Sequence, residues 1–295
     1  MSVEAKKINT FQNAPIKVKQ RKMRDTPDDL PPYHMVVNFV GARGSGKTHS
    51  AVNWAKKLQD SGSLDRIFVM SPTFYSNPIF QVLKILPEDI YGQDVQEAMG
   101  ELKDIIEKTE EEGNLYREEL RQKRAWEKFQ KVKDVEEMDD DEILTLLSMN
   151  FEPPKPKYGH YKPRAMLLII DDMSHSPILS NAKSNKMINL LLRNRHIGGM
   201  GIGLNIFILT QSLKNGLPKV ARQNLSQIVL YKSYNEDAIK DFYDEMIGHR
   251  MTYEKFKKLY EFATQDQHDF LMIDFNRKKG HPFFRKNFDT EIKLV

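Results

Sequence analysis

Eight consecutive residues, Gly41-Ala42-Arg43-Gly44-Ser45-Gly46-Lys47-Thr48, satisfy in full the pattern G-x-x-x-x-G-K-[ST]. The chemistry of that pattern is phosphate binding. Glycines let successive backbone N–H groups turn inward around phosphate oxygens. A helix that starts at the end of the loop adds its positive N-terminus. Lys47 can reach the β- and γ-phosphates, and the Thr48 hydroxyl can ligate Mg²⁺. The nucleotide-contacting set is therefore Gly41 through Thr48 together with His49, the next residue.

A second chemical signal lies far downstream. Asp171-Asp172 follows the apolar run Met166–Ile170. In a P-loop enzyme the first carboxylate, Asp171, holds Mg²⁺, and the second, Asp172, can act as general base on an attacking water. A third signal is Gln211, or Thr210 before it, at the tip of the run LNIFIL. A polar group there could hydrogen-bond the lytic water or the γ-phosphate. Phosphoryl transfer also develops negative charge that an arginine can stabilise. Arg193 and Arg195, in LLLRNRHIGG, and Arg222, after Pro218, are the candidates, and the sequence does not choose among them. The eight histidines show no metal-ligand spacing, and His34 and His196 read as structural.

These residues need elements to hold them. A strand is expected at about 35–40 and a helix from the loop to about Gln59, broken by Ser61-Gly62-Ser63. Further strands are expected at 66–70, 166–170, 204–209 and 228–231. Each is a short apolar run, as befits strands buried on both faces. Helices are expected at 185–194, 235–247 and 252–263. Phe270–Phe275, alternating apolar with polar, should pair with 282–288 as a C-terminal β-hairpin through Lys278-Lys279-Gly280. Strands alternating with helices imply an α/β fold with a mostly parallel central sheet. Asp171-Asp172 sits at the C-terminal end of one such strand, where open α/β sheets place ligands. The expected organisation is a basic, flexible N-terminal arm over 1–32 and a single P-loop domain over 33–295, interrupted by a charged helical insertion at about 93–149. Gly113-Asn114 reads as a break within that insertion.

Composition narrows the function classes. The chain has 295 residues, no cysteine and a net charge of +4. Disulfides, thiolate metal sites and cysteine nucleophiles are thereby excluded. No apolar run is long enough to span a membrane, and no signal peptide is apparent. Residues 88–149 carry 20 acidic against 9 basic side chains, so the remainder is strongly basic. A basic body suits a polyanion such as DNA. Three groups could meet DNA phosphates without reading sequence: the arm (Lys17, Lys19, Arg21, Lys22, Arg24), Lys255-Lys257-Lys258, and Arg277-Lys278-Lys279. The loop Gly198–Gly203 could instead line a pore.

GARGSGKT, LLIIDD, RNRH, NIFILTQ and PKVARQNLSQIVLYK occur in the order seen in viral DNA-packaging ATPases. Over about 35–232 the chain resembles the poxvirus type of these ATPases, within the FtsK–HerA superfamily, and its tail is similar as well. The resemblance implies a RecA-like core and a homo-oligomeric ring, commonly of five or six subunits. Such a ring uses ATP and Mg²⁺ to drive double-stranded DNA into a preformed capsid, engaging its vertex or portal at sites of viral assembly in the host cell. It implies that Lys47 and Thr48 form the Walker A pair, Asp171 and Asp172 the Walker B pair, Gln211 the sensor, and Arg195 a finger acting in trans. Many superfamily members carry Asp-Glu where this chain has Asp171-Asp172. No nuclease domain is evident, and the 93–149 insertion lies outside the shared motifs. Two other readings of the residues stay open: a P-loop phosphotransferase acting on a small molecule, and a nucleotide-gated assembly scaffold.

Overall fold

The computed structural model describes residues 23–174, 176–180 and 185–293. Its elements, in chain order, are β1 (Val36–Val40), α1 (Lys47–Asp60), β2 (Arg66–Met70), β3 (Ile90–Tyr91), α2 (Ala98–Phe129), α3 (Asp140–Ser148), β4 (Met166–Ile170) and α4 (Lys186–Arg193). There follow β5 (Leu204–Thr210), α5 (Leu213–Gly216), α6 (Lys219–Arg222), β6 (Gln227–Tyr231), α7 (Glu236–Met246), α8 (Tyr253–Ala263), β7 (Phe270–Asp274), β8 (Phe284–Lys286) and β9 (Thr290–Glu291). One sheet takes them in the order β3-β2-β4-β5-β1-β6-β7-β8-β9, parallel up to β6 and antiparallel beyond it. This is the expected α/β class, a mostly parallel sheet ending in an antiparallel C-terminal run.

Continuous apolar runs arise because both faces of the central strands are covered. On β4, Met166, Leu168 and Ile170 join one core cluster, which α2, α4, α7 and α8 cover. Leu167 and Ile169 join the other, beneath α1. β1 divides the same way, with Val36 and Val40 on one face and Val37 and Phe39 on the other. β7 (FLMID), expected to alternate, is apolar from Phe270 through Ile273 and buried along its whole length; its one polar side chain, Asp274, is also enclosed and accepts from Gln227 Nε2 at 2.9 Å.

The insertion is one long helix and one short one. α2 does not break at Gly113-Asn114. A Cβ on Gly113 would lie 2.0 Å from the carbonyl oxygen of Gly198, so glycine is there for close approach of the 198 loop, not for a turn. α2 is fixed to the sheet through buried charges. Arg66 of β2 donates to both oxygens of Asp89 (2.7 and 2.8 Å) and to Glu112 of α2 (3.0 Å). The far end of the insertion has its own small core of Ala125, Met138 and Leu146.

The expected arm divides. Residues 1–22, including Lys17, Lys19, Arg21 and Lys22, lie outside the described residues. Residues 23–32 are docked on the domain: Arg24 pairs with Asp65, Leu30 is buried, and Lys278 donates to the carbonyls of Thr26 and Pro27 (3.1 and 2.8 Å). Among the described residues, no helix is long and apolar enough to cross a membrane.

Candidate active site

β1 is flanked by β5 and β6, with Val40 in register with both Thr210 and Leu230. Gly41 and Gln211 therefore leave the sheet side by side, and Gly41 N–H donates to the Thr210 carbonyl at 3.1 Å. One strand further, Ile170 is level with Met70, and Asp171 N–H donates to the Met70 carbonyl at 3.0 Å. Adjacent strands thus deliver the P-loop, the Gln211 tip and the carboxylate pair to one edge of the sheet.

The P-loop has the backbone its glycines permit. Gly44 and Gly46 hold φ of 78° and 98°, in the left-handed region, and nothing lies within 4 Å of where a Gly44 side chain would be. Gly46 caps α1. Ser45 Oγ is buried with no hydrogen-bond partner among the described residues. The Lys47 ammonium folds back onto the carbonyls of Gly41 (2.8 Å) and Ala42 (2.9 Å). Burial lowers its pKa, while Asp171 and Asp172 act to raise it. His49, exposed in the first turn of α1, faces Asn53 Nδ2 at 3.2 Å.

Thr48 Oγ1 donates to Asp171 Oδ2 at 2.9 Å. Asp171 is buried, and its carboxyl is pushed up to about 6, first by burial and then by the neighbouring Asp172 charge. Asp172 is exposed at φ 55°, a left-handed conformation that aspartate tolerates. Its Oδ2 accepts from Thr73 Oγ1 at 3.4 Å, and Thr73 is within hydrogen-bond distance of Ser71 Oγ, at 3.1 Å. Thr73 was not among the candidates read from sequence. The signal available was a pair of hydroxyl residues just past an apolar run, in Ser71-Pro72-Thr73.

Gln211 is exposed and lines a cavity of about 300 Å³ with Gly41, Ala42 and Tyr231. Thr210 turns inward instead and donates to Asn38 Oδ1 at 3.1 Å. The arginines go elsewhere. Arg222 is buried, with Nε on Glu245 at 2.8 Å and its other donors on the carbonyls of Lys214 and Leu217. Arg193 pairs with Glu110 of α2 at 2.9 Å. Arg195 is exposed beside His34, at the opposite edge of the sheet from Gly41.

Two groups missed by sequence reading buttress the P-loop. Tyr231 Oη donates to the Gly46 carbonyl at 3.3 Å, and a side chain on Gly41 would lie 2.7 Å from Tyr231 Cβ. His268, from the loop before β7, sets Nδ1 3.2 Å from the Ser45 carbonyl. The expected DNA-facing lysines are partly engaged within the chain: Lys257 pairs with Glu236 at 2.9 Å, and Lys278 holds residues 26–27.

The residues present fit a nucleotide triphosphate with its magnesium. An open left-handed cradle, a Ser45 hydroxyl without a partner among the described residues and a lysine whose described hydrogen bonds go to loop carbonyls offer donors to phosphate oxygens. Thr48 and Asp171 offer hard oxygen donors of the kind Mg²⁺ takes.

No protein-family model and no curated protein sequence matches the chain. Solved structures do. The genome packaging NTPase B204 from Sulfolobus turreted icosahedral virus 2, in complex with ATPγS, is 14% identical over 88% of this chain and 98% of its own, with a TM-score of 0.47. The pCW3 conjugation coupling protein TcpA is 12% identical over 86% of this chain and 60% of its own, TM-score 0.45. EssC (ATPases 2 and 3) from Geobacillus thermodenitrificans is 13% identical over 82% and 38%, TM-score 0.42.

Proposed function

We propose that the chain is the ATPase subunit of a DNA-packaging motor of the FtsK–HerA type. It hydrolyses ATP with Mg²⁺, assembles as a homo-oligomeric ring of five or six copies, and moves double-stranded DNA into a preformed viral capsid at its vertex or portal. The observation that carries the nucleotide chemistry is the Thr48–Asp171 contact, 2.9 Å, beside Lys47. The packaging assignment rests on the order of GARGSGKT, LLIIDD, RNRH and NIFILTQ along the chain.

In this reading the loop amides and Lys47 hold the phosphates, and Thr48 with Asp171 holds the metal. Mg²⁺ held there would supply positive charge against the negative charge developing on the phosphoryl oxygens. Asp172, exposed and oriented by Thr73, takes the proton of the attacking water, and Gln211 orients that water. Asp171 must be ionised to hold the cation, so a bound cation would favour its ionised form against the burial that raises its pKa.

Turnover measured with and without duplex DNA, alongside particle mass, tests the proposal. An oligomer with DNA-stimulated hydrolysis, lost in Lys47→Ala, is the expected result. A monomer indifferent to DNA would overturn it. Transfer of phosphate to a small acceptor instead of water would favour a phosphotransferase, and nucleotide binding without turnover a scaffold.

A further inference from the structure

At the edge of the sheet opposite the P-loop lies a cavity of about 570 Å³, lined among others by His34, Arg195, His196, Gly199, Gly201 and Asn276. We propose that this cavity is a binding site for a phosphate group, with His34, Arg195 and His196 as its protein donors.

Four elements build it. His34 lies two residues before β1, Arg195-His196 lies in the turn after α4, the glycine loop precedes β5, and Asn276 follows the antiparallel β7. None of the lining residues is a carboxylate; Arg195 is cationic, His34 and His196 can become so, and the remaining titratable group, Tyr33, spends its hydroxyl on the Ser63 carbonyl. Gly199 and Gly201 carry no side chain to obstruct a ligand.

His34 is the second observation. It is 4% exposed, yet its Nδ1 has no hydrogen-bond partner among the described residues. Nε2 is engaged by the Ile202 carbonyl. A Cβ on Gly203 would sit 2.3 Å from His34 Cδ2, so the loop is shaped to seat this ring. A buried polar atom without a partner is unfavourable unless something supplies one. Burial, and the nearby Arg195 and His196, disfavour the imidazolium, while the carbonyls of Ile202 and Gly201 favour it. An anion between Arg195 and the ring reverses that balance, so Nδ1 takes up a proton and donates to it.

The phosphate cannot come from nucleotide on the same chain. Six residues, Met35 and the five of β1, separate His34 from Gly41, a span of about 23 Å at the usual strand rise. Two sources remain, a DNA backbone phosphate and the terminal phosphate of nucleotide held by a second copy.

The test uses the full chain carrying Lys47→Ala, which weakens phosphate binding at the P-loop and makes the result independent of turnover, while the His34 signal reports its own cavity. Ring ¹⁵N signals of His34 are followed while inorganic phosphate is added, and calorimetry in two buffers counts protons. Expected are a rise of about one unit in the apparent pKa of His34, proton uptake on binding, and affinity reduced about tenfold by Arg195→Ala. A short duplex, and separately an ATPγS-loaded Arg195→Ala copy, then identify the source. Movement of His34 with either one supports the site and names its ligand. A His34 signal unmoved by phosphate, or moved equally in Lys47→Ala/Arg195→Ala, would overturn it. So would a response to free phosphate with neither macromolecular source, which would reduce the cavity to a fortuitous anion trap.

Discussion

Thr48 and Asp171, 123 positions apart in sequence, meet at 2.9 Å, hydroxyl to carboxylate. The contact exists because β5 lies between β1 and β4 and the strands end nearly level. It joins the first residues of α1 to the tip of a buried strand, and it places a carboxylate where water is largely excluded. The consequence is electrostatic tension at Asp171: burial and Asp172 hold its carboxyl up at about 6.

That tension predicts opposite effects on stability and activity. The folded pKa, about 6, exceeds the unfolded value of 3.8, so the folded chain binds this proton more tightly. Asp171 is therefore least unfavourable below the unfolded value, and stability is lost as pH rises to about 6. Above that the ionised group costs about 3 kcal/mol. Asp171→Asn should raise the stability of the nucleotide-free protein at pH 8, by roughly 1–3 kcal/mol, with the gain fading at low pH. The same change should abolish Mg²⁺-dependent hydrolysis. Denaturant unfolding at several pH values checks this, and a destabilised Asp171→Asn at pH 8 would sink it.

Thr73 gives a second prediction. Its hydroxyl is the one described side-chain donor to Asp172, at 3.4 Å. Thr73→Val keeps the shape and removes the donor. Turnover should fall about tenfold with KM little changed, since the water's base is misoriented while nucleotide contacts persist. The pH–rate profile should shift at the acidic limb. An unchanged profile would leave Thr73 a strand-end hydroxyl only.

Much of the site was legible because its chemistry depends on short runs. Gly41–Thr48, Asp171-Asp172 and Gln211 each follow an apolar strand, and local pattern suffices to find them. What was not legible depends on distant approach. Gly113 looked like a helix break because glycine disfavours helices, and only the 198 loop packed upon it explains it. Arg24 and Leu30 looked like arm because their partners, Asp65 and the core beneath α1, lie elsewhere in sequence. β3, two residues long, carries too little periodicity to register. Arg222 ends α6 and Arg195 lies just past α4, and nothing local separates an inward guanidinium from an exposed one.

The glycines of α2 supply a paired test. Gly100 has nothing within 4 Å of its missing Cβ, whereas Gly113 has the Gly198 carbonyl at 2.0 Å. Helix propensity alone makes both substitutions to alanine favourable by about 1 kcal/mol. Gly100→Ala should follow propensity and raise stability by about 0.5–1 kcal/mol. Gly113→Ala should instead lose about 1–3 kcal/mol to overpacking, as α2 and the 198 loop are driven apart. Thermal unfolding of the two variants decides it; equal stabilisation by both would refute the close approach.

The arginines divide by what each already touches. Arg222 is buried on Glu245 and on the carbonyls of Lys214 and Leu217, so Arg222→Ala strands acceptors inside the fold. A loss of roughly 2–4 kcal/mol should result, with Tm falling accordingly. Arg195 is exposed, and Arg195→Ala should leave stability within about 0.5 kcal/mol. If its guanidinium completes a neighbour's site, hydrolysis should nonetheless fall by about 10³-fold or more in the homo-oligomer. The two roles then separate by complementation. Arg195→Ala chains keep a working Lys47, and Lys47→Ala chains keep Arg195, so interfaces formed between the two variants contain one intact composite site. Mixing the two inactive proteins should restore part of the turnover, in proportion to mixed interfaces. Mixtures as inactive as their components, in particles of unchanged mass, would exclude Arg195 from action in trans.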